Sequence, residues 1–183
     1  MSNERFWSSH LMEPKRNYRF KMYVGSMDHI HVKTTARPNW EIGIAEHDYL
    51  NHKFKFPGKV TFNDVEVTYV EEITNDAMSK LLDILSDSGY SWTKEGTVIS
   101  RLDLNTISKR RAVDALNGGT GKGVLLAEID SEGREICHYT LHNAWISQVT
   151  PSEASYESEE LQELTLRITY DYAIIDTNPN SIL

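Results

Sequence analysis

The chain has 183 residues, 39% hydrophobic and 25% charged, the composition of one folded domain and not of a disordered segment. It holds no run of about 18 apolar residues, so no membrane-spanning helix is expected, and its opening Met-Ser-Asn-Glu-Arg-Phe-Trp lacks the basic-then-apolar layout of a secretory signal. The net charge of −8 is unevenly placed: residues 1–60 carry ten Lys/Arg against six Asp/Glu, residues 61–150 eight against fourteen, and residues 151–183 one against seven. A basic front and an acidic back suit identical subunits meeting head to tail, or are simply solvated faces.

Residues 1–16 show no periodicity and are read as an N-terminal arm, residues 17–176 as one β domain, and residues 177–183 as a C-terminal tail. Tyr18, Phe20, Met22 and Val24 alternate with Arg19, Lys21 and Tyr23, the period-two pattern of a strand. Ile30–Thr34 predicts a second strand with Ile30 and Val32 on one face, and Arg37-Pro38-Asn39 ends it because proline removes a ladder donor. An extended run over Glu46–Phe56 is expected to stop at the turn pair Pro57-Gly58. Val60–Val70 then reads as a strand, with Val65, Val67 and Tyr69 on one side.

Asp76 is a candidate N-cap for a helix whose Met78, Leu81, Leu82 and Leu85 recur at helical spacing, and Gly89 ends it. A weaker helix is predicted from about Asn105 to Leu116, before Gly118-Gly119. Val124–Asp130 and Glu135–His142 form a hairpin around Ser131-Glu132-Gly133-Arg134. From Leu164 onward Leu166, Ile168, Tyr170, Tyr172 and Ile174 alternate with Thr165, Arg167, Thr169 and Asp171, which predicts one long, half-buried strand. The fold class is mainly β: an antiparallel β-barrel or sandwich with a flanking α-helix.

Candidate chemistry is sparse. Gly118-Gly119-Thr120-Gly121-Lys122-Gly123 superficially suits a phosphate loop, but Leu116 stands where the first glycine belongs and Gly123 offers no hydroxyl to magnesium. The loop also leaves a helix and enters a strand, so no helix N-terminus follows it to hold a phosphate. The pairs His29/His31 and His138/His142 have zinc-compatible spacing but no third ligand beside them. Glu71-Glu72 and Glu159-Glu160 are sequence neighbours, which point to opposite faces of a strand. Cys137, the single cysteine, reads as a small residue within a strand. Lys109-Arg110-Arg111 is a short basic run against an acidic background that opposes phosphate binding. Trp40, Trp92 and Trp145 read as core or interface aromatics. No catalytic residue, cofactor or metal is expected.

Several segments, in order, resemble the tail tube proteins of contractile-tailed bacteriophages. They are Glu13–Phe20; the run His47-Asp48-Tyr49-Leu50-Asn51-His52-Lys53-Phe54-Lys55-Phe56-Pro57-Gly58-Lys59-Val60-Thr61-Phe62; Val65-Glu66-Val67-Thr68; Ile107-Ser108-Lys109 with Ala112–Leu116; Glu128-Ile129-Asp130; Leu141–Trp145; and Leu166–Tyr172. The resemblance spans residues 13–173 and departs from the family in the glycine-rich stretch at 118–123 and in both tails.

What the resemblance implies is a tail-tube-like structural subunit that forms homo-hexameric rings stacked into a hollow tube. A contracting sheath protein would surround that tube, baseplate and tail-terminator proteins would end it, and the tape-measure protein and then DNA would occupy its bore. The localisation implied is the virion tail, assembled in the host cytoplasm, with no membrane partner. Related expectations are a baseplate tube-initiator and an injection-system tube subunit. The rival from another class is a nucleotide-binding module using residues 118–123. Exposing both Phe54 and Phe56 on the 36–58 segment would favour aggregation, so this segment is expected to dock on a neighbouring subunit through Tyr49, Leu50, Phe54 and Phe56. A bore that lets DNA slip needs few cations, so Asp171, Glu128, Asp130, Glu132 and Glu135 are candidate lumen residues.

Overall fold

Two antiparallel sheets face each other across one core, and a long hairpin stands outside them. The computed structural model describes residues 13–74, 77–90, 106–118, 123–156 and 159–179. In chain order its elements are β1 (Phe20–Val24), β2 (Val32–Thr35), β3 (Trp40–Tyr49), β4 (His52–Phe62), β5 (Val65–Val70), α1 (Ala77–Asp87), α2 (Lys109–Asn117), β6 (Val124–Ile129), β7 (Glu135–His142), β8 (Trp145–Pro151), β9 (Glu163–Thr169) and β10 (Tyr172–Asp176). The first four-stranded sheet runs β1-β6-β7-β10, the second β2-β5-β9-β8, and β3 pairs only with β4. Neither sheet closes on itself, so the architecture is a sandwich and not a barrel.

Period-two alternation builds the core directly. Met22 and Val24 of β1 stand opposite Leu126 and Val124 of β6, while Val65, Val67 and Tyr69 of β5 stand opposite Ile168, Leu166 and Leu164 of β9. All ten side chains are buried. Each contributes on the order of 1.5–3 kcal/mol by leaving water. Ala77, Leu81 and Ile84 of α1 and Leu116 of α2 join the same cluster.

The predicted long closing strand is in fact two. β9 lies in the second sheet and β10 in the first, with Tyr170-Asp171 as the corner between them. At that corner the Asp171 N–H donates to the His142 carbonyl at 3.0 Å. Its carboxylate accepts from Lys109 Nζ at 2.6 and 2.7 Å and from Asn143 Nδ2 at 2.8 Å. Alternation continues through such a corner, so sequence periodicity does not reveal it. Tyr172 and Ile174, expected on the buried side with Ile168, are accordingly half exposed.

Three further expectations are corrected. Ile30 belongs to a 3₁₀ turn over His29–His31 and is exposed, not part of a strand. The chain does not turn at Pro57-Gly58: β4 runs through both, and the turn falls at Leu50-Asn51. β4 holds one more residue than β3 between the Ile42–Val60 and Ile44–Pro57 pairs, a bulge in a two-stranded ribbon where proline is tolerated. The backbones approach closely there, since a Cβ on Gly58 would lie 2.9 Å from the Gly43 carbonyl oxygen. Finally, α1 buries Ala77, Leu81 and Ile84 in the core with Met78 packed partly against it, while Leu82 and Leu85 line a groove beside β8.

Other expectations hold. Gly89 follows α1 at φ +101°, a left-handed value that favours glycine. The weaker helix forms as α2 but begins at Lys109, where Ser108 caps it by accepting from the Arg111 N–H at 3.3 Å, and β6 and β7 pair as the predicted hairpin. Asp76, Trp92, Asn105 and residues 119–122 of the glycine-rich loop lie outside the described residues.

Ile168 is fully buried and Arg167, beside it in sequence, faces solvent with Glu66 at 3.2 Å. Ile168→Asp should therefore cost about 4 kcal/mol or more, through an unpaired charge in the core, whereas Arg167→Ala should cost under about 1 kcal/mol. Thermal melts of the two variants test the face assignment, and the reverse order of stability would overturn it.

Candidate assembly surface

Among the described residues, the β3–β4 hairpin gathers several exposed large apolar side chains. Ten-residue β3 reaches about 33 Å at the usual rise per residue. Contacts to the rest of the fold gather at its base, where Trp40 and Phe62 pack at 6.2 Å and Phe62 meets Tyr170 at 5.8 Å. There Asn63 also donates to Asn39 through backbone and side chain, at 3.1 and 2.7 Å. Beyond this base the hairpin is exposed on both sides.

Its two faces change character along their length. Near the base, Trp40, Ile42, Val60 and Phe62 share one face, and Glu41 and Thr61 share the other. Toward the tip the order inverts. Glu46, Asp48, Lys53 and Lys55 continue the first face, with Lys53 and Glu46 paired at 3.1 Å, while His47, Tyr49, His52, Phe54 and Phe56 form the second. Leu50 heads the turn at φ +51°, a costly value for a branched apolar side chain, and is 89% exposed. The four sequence-predicted anchors, Tyr49, Leu50, Phe54 and Phe56, thus sit together at one tip.

The hairpin root is set by a buried carboxylate that sequence reading placed elsewhere. Glu128, on the core face of β6, is 5% exposed. Lys15 reaches it at 2.6 Å from the segment before β1, and Arg37 at 2.8 Å from the segment that leads into β3. Tyr139 donates to it at 3.4 Å. Burial, reinforced by the nearby Cys137 thiol, pushes the Tyr139 hydroxyl up to about 12, so it remains protonated as a donor. No spacing rule announces this cluster, because its members are brought together only by strand pairing.

The other candidate lumen carboxylates are scattered. Asp130 closes the β6–β7 turn on Arg134 at 2.9 Å, and that pairing lowers its pKa. Glu132 is exposed beside Arg134, and Glu135 meets His138 at 2.6 Å. Asp171 holds the corner already described. Among the described residues no group of three or more His, Cys, Asp or Glu is arranged to hold a metal ion. His31 pairs instead with Glu72 at 3.4 Å, and His142 stacks on Tyr172 at 4.7 Å.

No protein-family model matches the sequence, and no curated protein matches it significantly. Solved structures do match in shape. A chain of the anti-feeding prophage tube-terminating cap superposes with a TM-score of 0.63 at 14% identity, covering 92% of this chain and 95% of that one. The chain has a tail-tube-like fold. A chain from the extended sheath–tube complex of PVC, an extracellular contractile injection system, gives 0.63 at 14% identity, over 91% and 94%. A chain from the six-fold symmetrised anti-feeding prophage baseplate gives 0.61 at 9%, over 91% and 98%. The architecture therefore corresponds end to end.

Two measurements probe these clusters. Glu128→Gln should lower stability by about 1–3 kcal/mol, below the full cost of breaking a buried pair because Lys15 and Arg37 are half exposed. It should also speed hydrogen exchange at the hairpin root, and unchanged exchange would remove Glu128 as its anchor. Lys109, then Asn143, hold the Asp171 carboxyl below the ordinary aspartate range. A depressed folded value means that the contribution is present above the ordinary pKa and is lost as pH falls through the folded one. Lys109→Met should raise the NMR titration midpoint of Asp171 toward that of a free aspartate.

Proposed function

We propose that this chain is a structural, non-catalytic subunit that assembles with copies of itself into stacked hexameric rings, forming the inner tube of a contractile apparatus. The observation that carries the reading is the end-to-end match to chains from a tube cap, a sheath–tube complex and a baseplate. The exposed aromatic hairpin supports it independently, because a monomer gains nothing from holding Phe54, Phe56 and Tyr49 in water. The partners are then a sheath protein outside the tube and baseplate and terminator proteins at its ends.

The tube is that of a bacteriophage tail on the strength of the sequence resemblance over residues 13–173. It is located in the virion, with the tape-measure protein and DNA in its bore. A tube subunit of an injection machine is the second reading, favoured by the origin of the solved structures that match. In either tube the hairpin docks on an adjacent copy. The exposed Glu132 and the half-buried Asp130 and Glu135 near the β6–β7 turn, together with Asp171, are the proposed bore lining. Glu128 is left out of it because Lys15 and Arg37 enclose it within the chain. In such a bore the four carboxylates outnumber Arg134 and Lys109, which they pair with, so little net positive charge is left to displace counterions from phosphate.

Negative-stain microscopy of the purified protein should show rings or tubes, and deletion of residues 46–55 should leave soluble protein without tubes. Tubes of normal length from the deletion would refute the role of the hairpin. A monomer that binds nucleotide would refute the tube. Tight, salt-sensitive binding of DNA by assembled tubes would exclude the acidic bore.

A further inference from the structure

Glu128 is shared by two segments of the chain. Ahead of β1, residues 13–19 form a strap along the β6–β7 end of the first sheet. Glu13 accepts from Arg19 at 2.5 Å and from Ser131 at 3.4 Å, and the Arg19 carbonyl accepts from the Ile129 N–H at 3.1 Å. Lys15 leaves this strap to reach Glu128 Oε2 at 2.6 Å. On the other side runs the linker from β2 to β3, pinned where the Ala36 N–H donates to the Glu66 carbonyl at 3.0 Å and the Asn63 N–H to the Asn39 carbonyl at 3.1 Å. Arg37 leaves this linker, and its Nε meets Glu128 Oε1 at 2.8 Å.

One negative charge thus faces two positive ones. The Tyr139 hydroxyl, which donates to Oε1 at 3.4 Å, is neutral and does not alter that balance. Each cation weakens the hold of the other, by drawing on the same carboxylate and by like-charge repulsion. Side-chain shape adds an asymmetry. An arginine fork can span both oxygens of a carboxylate, whereas a lysine takes one of them as a point charge. Lys15 on Oε2 leaves Oε1 to Arg37. A depression of about 310 Å³, lined by Asn17, Phe20, Thr35, Arg37, Leu126 and Glu128, lies between strap and linker and gives the guanidinium room to turn onto both oxygens once Lys15 withdraws. Either cation can withdraw into water, since Lys15 is 56% and Arg37 51% exposed; the carboxylate, 7% exposed, cannot follow.

We propose that Glu128 is a two-way switch between the strap and the hairpin root. While Lys15 holds Oε2 the root is held loosely; when Lys15 withdraws, Arg37 takes both oxygens and the root stiffens. The relation is reciprocal, so withdrawal of Arg37 tightens the strap. Burial is what makes the two cations alternatives. A solvated carboxylate would be satisfied by water after either loss, but Glu128 on the core face of β6 must keep at least one cation. Losing either one is therefore mild, and losing both leaves an unpaired charge in the core. A strap that merely shielded the Arg37 pair from water would behave in the opposite way, because each loss would then weaken the remaining contact. The stiffness of the hairpin root is thus set from the N-terminal side of the chain, whatever the subunit assembles into.

Full-length Lys15→Met, Arg37→Met and the double variant, compared at one protein concentration, decide the sign of the coupling. Each single variant should lower Tm slightly, and the double variant by more than the two single shifts added together. Hydrogen exchange reads the switch itself. Lys15→Met should slow exchange of the Ala36 and Asn63 amides by about fivefold, the low end of couplings between linked sites. Arg37→Met should likewise slow the Ile129 amide, whose partner is the strap. Placing Lys15→Met in an Arg37→Lys background should remove most of the slowing at Ala36 and Asn63, because lysine cannot span both oxygens. A Tm shift of the double variant equal to or below the sum would overturn the switch. So would exchange at Ala36 and Asn63 that is unchanged or faster in Lys15→Met. If the double variant does not fold, exchange in the two single variants decides alone.

Discussion

Mutual covering of two one-sided sheets is the constraint on which the rest of the structure depends. Each four-stranded sheet carries one apolar face, and neither face is tolerable in water, so the sheets bury each other with α1 closing a side of the core. The closing segment makes the arrangement covalent: β9 serves the second sheet and β10 the first. The corner at Asp171 is therefore where the relative placement of the two sheets is held. Lys109 at the start of α2 grips that corner, and so the second helix is tied to the sheet crossing as well.

The hairpin is the exception to this economy of burial. A two-stranded ribbon has no third strand and no covered face, and such hairpins are marginal on their own in water. Here the ribbon is supported at its base by the Trp40–Phe62–Tyr170 aromatics, by the Asn39–Asn63 pair and by Arg37 on Glu128. Past the bulge it is held by its own ladder, by the exposed pairs of Lys53 with Glu46 and Asp48 and of Lys55 with Glu46, and by His52 against Phe54. Exposed pairs contribute little. A stiff root with a weakly held aromatic tip suits a part whose final ordering takes place in an assembly.

Electrostatics follow the same division of labour. Glu128 is buried and matched by two cations, which makes it a fastener between the N-terminal segment, β6 and the hairpin root. Glu72, Glu153, Glu159 and Glu160 are exposed at the surface, with Glu72 beside His31. Charges of the first kind shape the subunit. Those of the second kind lie at the surface, where salt screens them within a Debye length.

The sequence by itself determined the local elements and the core. Alternation at Met22/Val24, Val65/Val67/Tyr69 and Leu164/Leu166/Ile168 identifies strands and their buried faces, because a period of two leaves no freedom about which side chains share a side. Gly89 marks a helix end through backbone chemistry that is equally local. The exposure of Tyr49, Leu50, Phe54 and Phe56 was also legible, from a long extended segment outside the alternating core strands. Only the tertiary structure decided which strands pair, that the closing run bends from one sheet into the other at Asp171, that Pro57-Gly58 is a bulge and not a turn, and that Glu128 is enclosed by Lys15 and Arg37. Each of these depends on contacts between segments apart in the chain, and periodicity along the chain carries no information about partners such as Asn143 and Asp171, 28 residues apart, or Lys15 and Glu128, 113 apart.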